Sequence, residues 1–146
     1  MKKIHLVIFC IFVSTSLFGQ ESKNNKDSKA IYSLIDQYTE SREKRDTVLL
    51  KSILMDDIDQ LVSSGEWRMG IHAAVIGMMQ SSEANSGSRK IIIDKLRFLN
   101  NMVGLVDARY EIQNADGSIR KMWSTFMAVK EKGVWKIAAI RNMLPT

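Results

Sequence analysis

The chain is expected to fold as an α+β domain in which N-terminal helices pack into a curved antiparallel sheet and leave a cone-shaped cavity. Three observations predict this. Apolar residues recur at helical spacing between Ala30 and Met79, after the polar stretch "EANSGS" the period changes to two, and four long period-two segments then follow one another to the end. Helices first and sequential strands second is the pattern of a meandering sheet covered on one face by helices.

The first element brings Ala30, Ile31, Leu34, Ile35 and Tyr38 to one face and Asp36, Gln37, Glu40 and Glu43 to the other, which predicts an amphipathic helix from Lys29 to about Lys44, with Ser28 as its cap. "RDTVLLKSILMDD" predicts a short second helix capped by Asp46 or Thr47, with Val48, Leu49, Ile53 and Leu54 inward. "DIDQLV" reads as a strand, "SSG" as its turn, and "GIHAAVIGMMQSS" as a third helix with Ile71, Ala74, Val75, Met78 and Met79 on its apolar side. Gly77 inside that helix costs about 1 kcal/mol relative to alanine, which suggests close packing there. The strands are "RKIIIDKLRFL", "MVGLVDARYEI", "RKMWSTFMAVKE" and "VWKIAAIRNM", with "QNADGS" and "EKG" as turns.

Residues 1–20, "MKKIHLVIFCIFVSTSLFGQ", have two lysines, an apolar run from Ile4 to Val13 and a small-polar end at Gly19. This is the pattern of a secretory signal peptide, cleaved near residues 19–20, with Ser16 as another possible point. Export to the periplasm or the outside is expected, and no later segment is long and apolar enough to span a bilayer. Cys10 lies in mid-core after Phe9, where a lipid attachment site wants a small residue. The remaining chain has no cysteine, so disulfides, thiolate metal sites and cysteine nucleophiles are excluded. Residues 21–28, "ESKNNKDS", read as a flexible linker, and 29–146 as the domain.

Without Lys2 and Lys3, 19 basic residues stand against 16 acidic ones, a net charge of +3 in place of the full chain's +5. The basic groups alternate with acids, as in "KDSKAIYSLIDQYTESREKRD", where nucleic-acid binding would concentrate them on one stripe. No histidine cluster at metal spacing, nucleophile elbow, phosphate loop or dinucleotide fingerprint is present. No cofactor or metal is therefore expected.

The stretches "DQYTESREKRD", "LMDDIDQLVSSGEWRMG" and "GSIRKMWSTFMAVKEKGVWKIAAIRNMLPT", above all the ending "WKIAAIRNMLPT", resemble the SnoaL-like, ketosteroid-isomerase-like group of the nuclear-transport-factor-2-like (cystatin-like α+β) superfamily. The resemblance runs over roughly residues 29–146. It implies a ligand site at the mouth of the cone, and a sheet face that commonly pairs with a second copy. In the isomerase branch a tyrosine of the first helix donates to the developing enolate oxygen, and Tyr38 stands at the matching place. The branch's general-base aspartate would fall at Val62 or its neighbours, and no carboxylate stands there.

The candidate catalytic residues are Tyr38 as electrophile, with His72, Asp57 or Asp59 as base. His72 is the one histidine beyond the leader, and histidine is the side chain most often used as a general base. Asp56, Asp57 and Asp59 could also surround a hard cation. Trp67 could stack on a flat ligand and Arg68 meet a carboxylate as a planar fork. Strict alternation puts Arg141 on the face of Trp135, Ile137 and Ala139; if that face is concave, the arginine points into the cavity and needs an anionic partner. Asp107, Arg109 and Glu111 share what reads as a solvated face. Two functions remain open: a pocket for a small hydrophobic or aromatic molecule, bound or transformed by a cofactor-independent lyase or isomerase step, or a non-enzymatic binding or homodimeric assembly module. Trp123 or Trp135 exposed on the sheet would favour assembly.

Overall fold

A computed structural model describes residues 25–145. The expected leader and residues 21–24 lie outside the described residues. The chain forms two units, Met1–Ala30 and Ile31–Thr146. In the first, residues 25–30 are helical, so Ser28 lies inside a helix rather than capping one, and residues 25–28 are not a tether. Asp27 is buried, and both it and Ser28 are engaged by other groups, which offsets the low apolar content that predicted a linker.

The second unit opens with α1, residues 31–43. Ile31, Leu34, Ile35 and Tyr38 are all buried on it, as their spacing predicts. The Asp46 carboxylate caps α2 (Thr47–Ile53) by accepting from the Val48 and Leu49 N–H groups. This helix buries Leu50 and Ile53, whereas Val48 is 78% exposed. Of the expected inward set, Ile53 and Leu54 are buried and Leu49 packs against the core, while Val48 turns outward and Leu50 takes its place, because α2 is too short for its period to be phased fully from sequence.

The strand β1 (Leu54–Leu61) follows directly, then β2 (Trp67–Met69) and α3 (Gly70–Ala84). Gly65 adopts φ of 91° in the turn between β1 and β2, a conformation open to glycine at little cost. The long strands are β3 (Ser88–Asn100), β4 (Val103–Gln113), β5 (Ile119–Glu131) and β6 (Val134–Met143). They lie within one or two residues of the expected segments.

The six strands form one curved, open sheet in the order β2-β1-β6-β5-β4-β3. β3 to β6 make the expected antiparallel meander, but β1 pairs in parallel with β6, so the sheet is mixed. Its inner face carries Val106, Ala108, Phe126, Ala128, Trp135, Ile137 and Ile140, packed with the helices into the main core. Tyr38 meets Phe126 edge to face at 5.3 Å between ring centroids.

One irregularity decides the outer face. Ala128 pairs with Ile137 but Met127 pairs with Ala139, so β6 carries one extra residue and its alternation shifts. Ile137 and Ile140 both turn inward. Beyond this bulge Asn142 is inward and Arg141 outward, opposite to what strict alternation predicts.

Candidate functional site

The arginine–tyrosine cluster at the open end of the core begins on α1. Arg42 follows Tyr38 by one turn and continues the apolar stripe into the interior, where it is buried. Its guanidinium donates to the Tyr38 hydroxyl at 2.7 Å and to the Ser82 hydroxyl of α3 at 2.9 Å. Burial pushes its pKa down, and the neighbouring Tyr38 and Tyr110 hydroxyls outweigh that, so Arg42 is held above its ordinary value and stays charged.

Arg42 lines a cavity of about 60 Å³ together with Arg68, Arg120, Tyr110, Ser63 and Asn142. Gln60, Val62, Ser81, Ile112 and Met122 complete the walls, so no carboxylate is among the described lining residues. Arg120 donates to the Ser63 hydroxyl at 3.0 Å, and Asn142 accepts from Ser124 at 2.7 Å. The Tyr110 hydroxyl is buried without a hydrogen-bond partner among the described residues. Burial pushes that phenol up, against the weaker pull of Arg42 and Arg89. Arg89, also buried, donates to the Asn85 and Gly87 carbonyls at 2.7 and 3.1 Å and leaves its Nε without a partner; its approach to Tyr110 does not reach hydrogen-bond geometry.

The candidate residues read from sequence are distributed over several surroundings. Tyr38 is in the core, its hydroxyl facing Arg42. Arg68 reaches the cavity wall and donates to Glu66 at 2.9 Å and Gln60 at 3.3 Å. His72 stands exposed in an open groove of about 350 Å³ between α2 and α3, with Lys51, Val75, Ile76, Met79 and Glu83 around it. Asp57 is exposed on β1. Asp59 lies on the outer face, where its two oxygens accept from Arg141 at 2.9 and 3.0 Å.

Arg141 therefore points away from the cone, with Asp59 as its anionic partner and the half-exposed Trp67 ring stacked over it at 4.7 Å. The Trp67 face expected for a flat ligand is occupied by this arginine. Among the described residues no three acids or imidazoles converge as metal ligands, Asp56, Asp57 and Asp59 included. Sequence reasoning passed over Arg42, Arg89, Arg120 and Tyr110. Arg42 gave a signal, since it continues the buried row of Ile31, Ile35 and Tyr38; so did Ser82, one turn beyond Met78 on the apolar side of α3.

On the outer face Trp123 and Met143 are direct cross-strand neighbours, 45% and 51% exposed, with Met127 further along β5. A recess of about 200 Å³ adjoins Trp123, lined also by Arg109, Glu111, Lys121, Met122 and Pro145. Trp135, by contrast, is buried beside Phe98.

No protein-family model matches the chain. No curated protein matches it either. Solved structures do. A domain of unknown function with a cystatin-like fold from Nostoc punctiforme superposes with a TM-score of 0.74 at 15% identity, over 82% of this chain and 78% of that one. A nuclear-transport-factor-2-like protein of unknown function from Shewanella oneidensis gives 0.70 at 16% identity, over 80% and 98%. A Xanthomonas campestris protein named for the association domain of calcium/calmodulin-dependent protein kinase II gives 0.66 at 16% identity, over 79% and 85%.

Proposed function

We propose that this chain, which has the nuclear-transport-factor-2-like, cystatin-like α+β fold, is an exported, non-enzymatic module that assembles as a homodimer through the outer face of its sheet. The observation that carries the reading is the neighbouring pair Trp123 and Met143, exposed among the described residues on the sheet face opposite the core. A protein that stayed monomeric would leave an apolar strip of large side chains in water, and such strips mark interaction surfaces. The Xanthomonas structure named for an association domain adds support by analogy of fold alone. Export is supported by the lysine start and apolar run of residues 1–20.

Sedimentation of the full chain, recovered after expression, tests the dimer across a range of concentrations, and intact mass locates the processed N-terminus. A dimer in the wild type that becomes a monomer in Trp123→Glu, with the fold retained by circular dichroism, is the expected result. A wild type that stays monomeric throughout, or a variant that dimerises equally well, overturns it.

A second reading, a pocket for a small hydrophobic or aromatic molecule, is favoured by the α2–α3 groove. Its volume of about 350 Å³ falls within the roughly 300–1,000 Å³ of small-molecule sites. Of the candidate catalytic groups, His72 alone lines it, so the reading supports binding better than lyase or isomerase chemistry. Mass spectrometry of retained small molecules tests it: a compound present on the wild type and absent from Ile76→Lys supports the groove, and an empty wild type argues against it.

A further inference from the structure

We propose that the arginine-lined cavity at the mouth of the cone is a binding site for a compact carboxylate, such as the head of a short-chain carboxylic acid. The starting point is a charge without an opposite among the described residues. Arg42 is buried, and its hydrogen bonds go to two hydroxyls, those of Tyr38 and Ser82, rather than to a carboxylate. A buried guanidinium without an anion is costly, and it has five N–H groups to satisfy. The nearby acids are engaged elsewhere. Glu66 meets Arg68, and Glu43 accepts from the backbone N–H of Arg89 at 2.9 Å.

The Tyr110 hydroxyl is the second, independent observation. It is buried, lines the same cavity and has no hydrogen-bond partner among the described residues. A buried hydroxyl left unmet is costly, and an incoming acceptor would recover that cost. Size and shape then choose the ligand. About 60 Å³ accommodates a few atoms and is several-fold below the volume that engulfs a drug-sized molecule. A planar carboxylate takes two parallel bonds from a guanidinium and keeps lone pairs for a phenol donor. Arg120, partly buried and bonded to the uncharged Ser63 hydroxyl, contributes further positive charge. Val62, Ile112 and Met122 supply an apolar wall for a short hydrocarbon tail.

The site is independent of the proposed dimer, since its residues face the inner side of the sheet. The test uses the full chain and sodium propionate, with sodium chloride and sodium sulfate at matched ionic strength as controls, read by thermal unfolding and calorimetry. Calorimetry is expected to show one saturable propionate site, and at about one hundred times its Kd propionate is expected to raise Tm by roughly 10 °C, a rise that grows with the logarithm of its concentration. Chloride and sulfate are expected to leave no saturable response. Tyr110→Phe and Arg120→Gln are each expected to weaken propionate about tenfold, and both avoid the core position of Arg42. In buffer alone Tyr110→Phe is expected to be at least as stable as the wild type, since it removes an unmet hydroxyl. No saturable effect of propionate, a sulfate response equal to it, or unchanged affinity in both variants overturns the proposal.

Discussion

The guanidinium of Arg68 fills the space that a side chain at Gly77 would need, so that strand β2 and helix α3 pack with no atom to spare between them. Glycine in the middle of a 15-residue helix is explained by that contact rather than by any turn. Gly77→Ala gains about 1 kcal/mol of helix propensity and loses the placement of Arg68, with its bonds to Glu66 and Gln60. The expected net change in unfolding free energy is within about 1 kcal/mol, measured by urea titration. The clearer reporter is Glu66. The side-chain hydrogen bond from Arg68 holds its carboxyl below the ordinary value. A group so lowered contributes stability above the usual carboxylate range and loses it as pH falls through its folded pKa. In Gly77→Ala the Glu66 carboxyl, followed by NMR, is expected to titrate at higher pH than in the wild type.

Arg141 joins β6 to β1 through two nearly parallel bonds to Asp59, and both side chains remain about one-third exposed. Solvent screening limits such a pair to about 1 kcal/mol, and the Trp67 stack adds about 0.5–1 kcal/mol. Arg141→Ala is expected to cost about 1–2 kcal/mol. Arg141→Lys should recover less than half of that, because an ammonium cannot bond both carboxylate oxygens in the plane. A double-mutant cycle with Asp59→Asn isolates the pair, and a coupling near zero would show it to be ornamental to stability.

Where periodicity is local, the fold was legible in the sequence. The buried face of α1 and the four long strands follow from spacing alone, because each signal lies within one element. What escaped was set by partners far away. The parallel pairing of β1 with β6 joins Leu61 to Arg141, eighty residues apart, and the residues themselves do not announce it. A single extra residue in β6 reversed the facing of Arg141 and Asn142, so the most pointed clue in the sequence led to the wrong side of the sheet. The arginine cavity draws on two helices, a hairpin and three strands, and apart from Arg42, whose spacing continues a buried row, its arginines taken singly read as ordinary surface charge.

Asp46 closes α2 by accepting from two backbone N–H groups, both at 2.9 Å. With only seven residues, α2 has little helical cooperativity of its own. Asp46→Ala is expected to cost about 1 kcal/mol, and Leu50→Ala, which empties a fully buried position, about 2–5 kcal/mol. Chemical denaturation of the two variants orders them; a larger loss at Asp46 than at Leu50 would mean that the cap, rather than the core contact, holds α2 in place.

Tyr38 and Tyr110 both present a hydroxyl to the neighbourhood of Arg42, yet removing the oxygen should move stability in opposite directions. The Tyr38 oxygen accepts from the buried Arg42 guanidinium at 2.7 Å, a charge-assisted bond without a carboxylate to replace it. Tyr38→Phe keeps the edge contact with Phe126 and leaves that guanidinium short of an acceptor, an expected cost of about 1.5–3 kcal/mol. The Tyr110 oxygen makes no hydrogen bond, so Tyr110→Phe is expected to be neutral or stabilising by up to about 1 kcal/mol in the absence of ligand. Equilibrium urea unfolding of the two variants side by side measures the difference. Equal losses at both positions would mean that the Tyr110 hydroxyl has a partner in solution, most simply Arg89, and that the cavity is already satisfied without an anion.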